Sequence, residues 1–210
     1  MKARTPVTLV LCEGKADKLV MESLAKHSGN SGHLVFESYD GESRLRDYLS
    51  NLIVRPEYVS GAYAQILVTR DADADYAAAW QSIRDAIHSV FALQVAEPGQ
   101  WSNTDIGVKI SAWIIPGKDE SGMIETLCLK AANQQNPGLF LCLDSFIDCL
   151  SKQQGAAPHE KVRFAIWTII AQGSLAKDRL SMDLAVKRID FNWGDQAYDA
   201  LRELFAAIDV

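Results

Sequence analysis

Two runs of residues, Val7-Thr8-Leu9-Val10-Leu11 and Gln65-Ile66-Leu67-Val68-Thr69, constrain this chain more than any other feature. The first lacks the apolar–polar alternation of a half-exposed strand and suits a central strand buried on both faces of a parallel sheet. Both runs stop at acids. Cys12-Glu13-Gly14-Lys15-Ala16-Asp17 follows the first, and Asp71-Ala72-Asp73-Ala74-Asp75 follows the second after Arg70. In an open α/β sheet, ligands bind beyond the carboxyl ends of the strands. Acids gathered at two such ends need a partner for their charge, and a divalent cation is the simplest one.

The remainder of the first ~125 residues alternates strand and helix signals in the same way. Lys15–Lys26 carries Leu19, Val20 and Leu24 at helical spacing, and His33–Tyr39 reads as a second strand. Asp40-Gly41-Glu42-Ser43 supplies turn and cap residues before a helix with Leu45, Leu49, Leu52 and Ile53 on one face. Gln65–Arg70 is the third strand, and Tyr76–Phe91 is a helix striped by Trp80, Ile83, Ile87, Val90 and Phe91. A polar connection over 95–104 leads to a fourth strand, Lys109–Ile115, closed by Pro116-Gly117. After Gly122 only helical spacing remains, over Met123–Ala132, Leu139–Leu150, Lys161–Gln172 and Asp195–Ile208. The pattern predicts an α/β fold, a Rossmann-like and mainly parallel four-stranded sheet flanked by helices. The α/β domain is expected over 1–132, with a helical C-terminal extension over 133–210 packed on the same domain.

Composition narrows the function classes. With 210 residues, 48% of them apolar, the chain can bury a large core. A net charge of −6 leaves no evident basic face, which argues against strong standalone nucleic-acid binding. Arg44, Arg46, Lys177, Arg179, Lys187 and Arg188 form at most a limited patch, and read equally well as solvated helix surface. Cys12, Cys128, Cys142 and Cys149 contain no CxxC pair, so free buried thiols are expected. His27, His33, His88 and His159 lack ligand spacing, so zinc is not expected. No apolar stretch approaches the ~20 residues of a membrane helix, and the N-terminus lacks a signal-peptide core. A cytoplasmic protein without a membrane partner is expected. The tryptophans Trp80, Trp101, Trp113, Trp167 and Trp193 read as core or interface residues rather than base-stacking platforms.

The acids repay closer reading. Asp17, four residues after Glu13, falls in the first turn of the following helix, so both can face one volume above the sheet. In extended chain Asp71 and Asp73 would share a face with Cα atoms roughly 6–7 Å apart. Magnesium takes oxygen ligands and keeps several waters, so about two to four carboxylates are enough to hold it. A pair of ions about 3.5–4 Å apart would support in-line phosphoryl displacement. Helix capping is the structural alternative, strongest for Asp17 and Asp75. One cap does not need three acids in five residues, so Asp71-Ala-Asp73 exceeds that explanation. Gly14 permits a tight turn, and Lys15 either contacts phosphate or is solvated. GxxxxGK[ST] is absent, so a P-loop is not supported.

A strand ending in Glu13-Gly14-Lys15-Ala16-Asp17, then a later strand ending in Asp71-Ala72-Asp73, resembles the Toprim domain. That domain is shared by topoisomerases, bacterial primases, recombination proteins and the overcoming-lysogenisation-defect (OLD) nucleases. Asp17, the Trp-Ile-Ile-Pro strand end at 113–116 and Gly122-Met-Ile-Glu125-Thr-Leu are similar to the OLD-like branch and its small standalone members. The resemblance covers about residues 5–130. It implies Mg2+-dependent phosphodiester chemistry on nucleic acid, with Mn2+ as a substitute and metal-activated water as nucleophile. Glu13, Asp71, Asp73 and Lys15 would carry the catalysis, and Glu13, Asp17, Asp71, Asp73 and Glu125 would hold metal. OLD-like nucleases also place a basic residue near the metals, for which Lys177 and Lys187 are candidates. OLD nucleases join this domain to an ATPase that the chain has no room for, so a protein partner such as an ATPase is a further expectation.

Three rivals stand beside this reading. A haloacid-dehalogenase phosphatase places Asp-x-Asp on its first strand, whereas here it ends the third. A receiver-like domain does not account for Glu-Gly-Lys or Glu125. The non-enzymatic rival is a partner-binding module with a structural or vestigial metal site.

Overall fold

The computed structural model describes residues 7–155, 160–171, 186, 189 and 191–208. Strand β1 (Val7–Cys12) is buried beyond its first residue, and its side chains divide between the two faces as the two-residue strand period requires. Leu9 and Leu11 enter one apolar cluster and Val10 and Cys12 the other. Strand β3 (Tyr63–Asp71) does the same, with Ile66 and Val68 opposite to Leu67. These two strands pair in parallel at the centre of the sheet.

Around them lie β2 (Leu34–Ser38), β5 (Lys109–Ile115) and β4 (Ser102–Asn103), in the order β2-β1-β3-β5-β4. The four strands of the sheet's body, β2, β1, β3 and β5, are parallel, and β4 is antiparallel to β5. Among the described residues the sheet therefore has five strands, not four. β4 falls within the connection expected to be irregular, because two residues carry no alternation to read.

Helices cover both faces. α1 (Lys15–His27) and α5 (Ile124–Gln135) lie on the face of Val10 and Leu67, together with α6 (Pro137–Gln154), α7 (Glu160–Ala171) and α8 (Asp199–Ala206). α2 (Leu45–Leu52), the single turn α3 (Pro56–Val59) and α4 (Tyr76–Phe91) cover the face of Leu9 and Leu11. α4 is capped by Asp75, whose side chain accepts from the Ala78 N–H at 3.0 Å. An aromatic group led by Phe164, Trp167 and Phe191 joins α7 to the segment before α8, with ring centroids 5.6 Å apart for Phe164–Trp167 and for Trp167–Phe191.

Cys12 and Cys128 are buried free thiols as expected, but Cys142 and Cys149 are exposed. The reason is that α6 buries Phe140 and Leu143 on one side and turns Leu141, Cys142, Phe146 and Cys149 to solvent. An apolar neighbourhood in sequence does not distinguish the two sides of a helix. Among the described residues no helix is long and apolar enough to cross a membrane.

The order of strands sets the site. From β1 the chain passes to β2 on one side, then returns to β3 on the other. The helices that follow β1 and β3 leave toward opposite faces. Their carboxyl ends therefore flank a topological switch point, where open α/β sheets leave a crevice. Glu13 follows β1, and Asp71 ends β3.

Candidate functional site

Asp71 is the most constrained acid. As the last residue of β3 it pairs with Ile115, the last residue of β5, and it is only 5% exposed. Its Oδ1 accepts the Ile124 N–H at 3.2 Å, so it satisfies one of the orphan donors at the start of α5. The chain then turns. Asp73 has φ +49 and is exposed, so Asp71 and Asp73 do not share an extended face. The turn is held by a reciprocal pair of backbone bonds with Gly122, 2.8 Å from the Asp73 N–H and 2.7 Å from the Gly122 N–H.

That bridge depends on glycine. Gly122 has φ +129, in a region that side chains disfavour, and a Cβ there would lie 2.8 Å from Thr126 Oγ1. The Thr126 hydroxyl accepts from the Met123 N–H at 3.1 Å, fixing the entry to α5. Glu125, in the first turn of α5, is thereby buried beside the end of β3.

Glu13 and Asp17 approach from β1 and α1. The Gly14 N–H donates to Asp17 Oδ2 at 2.7 Å, a bond from the helix N-cap to its third residue. The capping expected of Asp17 is therefore real. Asp17 is also buried, at 6% exposure, where a solvated cap would not be. Glu13 is half-buried, and its Oε2 is shielded from solvent without a hydrogen-bond partner among the described residues. Its backbone carbonyl is fixed by the Gly41 N–H at 2.9 Å. Lys15 is exposed at the start of α1, beside a groove also lined by Lys18, Ser38 and Asp40.

The electrostatics show that these acids act on one another. Burial pushes the Asp71 carboxyl well above the usual aspartate range, and the charges of Asp17, Glu13, Glu125 and Asp73 push it further. Burial also raises Glu13, with Arg70 opposing and Asp17 adding to the rise. Asp17 is raised by burial, against the Gly14 hydrogen bond and the charge of Lys161. Carboxylates from β1, α1, β3 and α5 thus share one field that disfavours their common ionisation.

Two cations of this site carry no motif. Arg70 is buried at the end of β3, and its guanidinium meets Glu42 at 2.6 Å while its charge reaches Glu13. A single arginine closing an apolar run was the available signal. Lys161, on the first turn of α7, acts on Asp17 from 144 positions along the chain, and nothing local in sequence announces it. Lys177 and Lys187, the basic candidates from sequence, lie outside the described residues.

The donors present suit a hard divalent cation in kind, being carboxylates, one with an unpartnered buried oxygen. Among the described residues no three His, Cys, Asp or Glu side chains converge closely enough to hold an ion as they stand. Asp17 and Asp71 each have one oxygen engaged by a helix N-terminus. Coordination would use their remaining lone pairs together with water, which magnesium retains readily.

Comparison with known proteins adds a family. No curated protein matches the chain. Among solved structures, the C-terminal region of the OLD protein of Xanthomonas campestris pv. campestris is similar, with TM-score 0.38 and 11% identity, over 98% of this chain and 88% of that one. The family model described as "Protein of unknown function (DUF3226)" matches residues 7–193. With nearly its whole length matched, the chain belongs to the DUF3226 family.

Proposed function

We propose that the chain carries out Mg2+-dependent phosphodiester cleavage on nucleic acid, as a Toprim-type, OLD-like nuclease. The observation that supports this most is the gathering of half-buried Glu13 and buried Asp17 and Glu125 around buried Asp71 at the switch point, where each of the three charges raises the protonation of Asp71. A structural role needs one acid per helix end. Three of these acids, Glu13, Asp17 and Asp71, resist ionisation where they stand, and a cation would make them a stable set.

Glu13, Asp71 and Asp73 would hold the ion, with Asp17 and Glu125 completing a second position. The cation, Mg2+ or Mn2+, supplies Lewis-acid polarisation of the phosphoryl group. Arg70 limits the repulsion at Glu13, and Lys161 does so at Asp17, so the acids keep their positions before the cation arrives. Lys161 and the exposed Lys15 then offer positive charge toward a backbone phosphate. With a net charge of −6, the chain would rely on a partner such as an ATPase to deliver long substrates.

A second reading rests on the helix caps. Asp17 serves Gly14 and Asp71 serves Ile124, so a non-catalytic partner-binding module that keeps its acids for capping also fits. Calorimetric titration of Mg2+ and Mn2+ into the wild type and the Asp71→Ala/Asp73→Ala variant separates the two. The nuclease reading expects binding that disappears in the variant, with metal-dependent cleavage of DNA or RNA by the wild type alone. A folded wild type that takes up neither ion at ~10 mM, weaker than any working magnesium site, and leaves all nucleic acids intact would support the module.

A further inference from the structure

The carboxyl edge of the sheet continues into a second concavity that the acids do not use. A cavity of about 670 Å³ lies between β5, α5 and α8. Its apolar lining comes from Trp113, Pro116 and Leu127, and its neutral polar lining from Asn133, Gln134 and Gln196. The volume falls within the range of small-molecule sites.

The indole of Trp113 is held in place. Its ring packs against Gly99, where a Cβ would stand 3.4 Å away and would also meet Leu204 at 3.7 Å. Its Nε1–H is buried and has no hydrogen-bond partner among the described residues. The three carboxamides are exposed and make no side-chain bond among the described residues, and each offers both a donor and an acceptor.

Charge selects the ligand. Lys118 and Lys130 line the cavity, as do the acids Glu120, Asp199 and Glu203. Lys130 is paired with Glu120 at 2.6 Å, and Lys118 with Glu97 at 3.5 Å. With three acids to two cations in the lining, the cavity has no net positive charge to favour a phosphate. A flat, neutral heterocycle with donors and acceptors on its edge matches the aromatic floor and the amides. Unpaired nucleobases have these properties, and they are read on single strands by stacking and edge hydrogen bonds.

We infer that this cavity is a base-binding subsite, which takes an unstacked nucleobase of a single strand whose phosphate lies at the acids. This rests on the nuclease reading for the identity of the strand. Position supports it. Pro116 directly follows Ile115, the pairing partner of Asp71. From Leu127 to Gln134 the groove follows α5 for ~10 Å, away from the end of β5.

The test uses the full chain without divalent cation and reads the Trp113 indole N–H resonance during titration with adenosine, guanosine, cytidine and thymidine. The inference expects saturable shifts with at least one nucleoside. The Asn133→Ala/Gln134→Ala variant, altered only at exposed positions, should bind about tenfold more weakly. Asp71→Asn should leave nucleoside binding unchanged. Absence of any shift at ~5 mM nucleoside overturns the inference. So does unchanged affinity in the double variant, and so does a 5′-monophosphate that binds far more tightly than its nucleoside, which marks a phosphate site. Nucleoside binding in a protein that neither takes up magnesium nor cleaves nucleic acid would retain the subsite and overturn the nuclease reading. Cleavage without nucleoside binding would do the reverse.

Discussion

Asp71→Asn is expected to abolish metal-dependent cleavage and, in the absence of metal, to make the protein harder to melt at pH 8. The side chain keeps an oxygen for the Ile124 N–H, so the start of α5 stays capped. What disappears is a buried charge opposed by Asp17, Glu13, Glu125 and Asp73. Removing it relieves a desolvation and repulsion cost on the order of 1–2 kcal/mol, equivalent to roughly 2–8 °C in a chain of this size. Loss of one cation ligand costs several kcal/mol of transition-state stabilisation, or ~10³-fold in rate. Opposite signs in the two measurements identify a site built for a ligand rather than for stability.

The pH dependence follows from the same shifts. Asp71, Glu13 and Asp17 all titrate higher in the folded chain than in the unfolded one. Their contribution to stability is fully present below the ordinary carboxylate range and is lost as pH rises through the folded values. Glu37 works the other way. Burial raises its pKa, but hydrogen bonds from Tyr48 and Arg55 more than offset this, so its contribution is lost as pH falls. Melting curves between pH 5 and pH 8 should therefore show the metal-free wild type losing stability as pH rises, and Asp71→Asn losing less. Magnesium should restore the wild type at pH 8 by mass action and leave the variant unmoved. A wild type whose stability is indifferent to pH over that interval would contradict the shared field.

Gly122→Ala is expected to destabilise the fold by ~2–4 kcal/mol and to remove the site with it. The left-handed backbone at Gly122 disfavours any Cβ, and the added methyl meets Thr126. Relief of either strain breaks the Asp73–Gly122 bridge or the Thr126 cap on Met123. Thermal melting should drop by roughly 5–15 °C. Hydrogen exchange should show faster opening around Asp73 and Met123 than in the centre of β1. Adding Thr126→Ala removes the collision but not the backbone strain, so it should recover part of the loss. A Gly122→Ala chain as stable as the wild type would mean that the α5 entry loop adapts without the bridge.

The chemistry of individual residues was more legible in sequence than their orientation. β1 and β3 follow from apolar runs that only a doubly covered strand can bury, and β5 matches its expected bounds at Lys109–Ile115. Glu13 and Asp71 were evident because acids abruptly end those runs. Asp73 leaves the face of Asp71 that an extended chain would give it, since the turn there depends on Gly122, which is distant in sequence. Lys161 and the use of Asp71 as a cap for α5 were invisible for the same reason. Each is a contact between segments, and neither segment alone contains a signal for it. β4 escaped because a strand that short has no period.

The brevity of β4 has a consequence for how the chain behaves in a crowd. β5 carries Ile110, Ala112 and Ile114 on one face and would, if bare, end the sheet with a row of unsatisfied backbone groups. The antiparallel contact of Ser102 and Asn103 covers its beginning, and the Gly99 N–H engages the Ala112 carbonyl at 2.9 Å. A stranger's strand arriving at this border finds an irregular loop in place of a template, so self-propagating edge-to-edge addition has nowhere to start here. The segment over 95–104, unremarkable as a connector, thus works as a selvedge that stops the weave from being extended by other molecules.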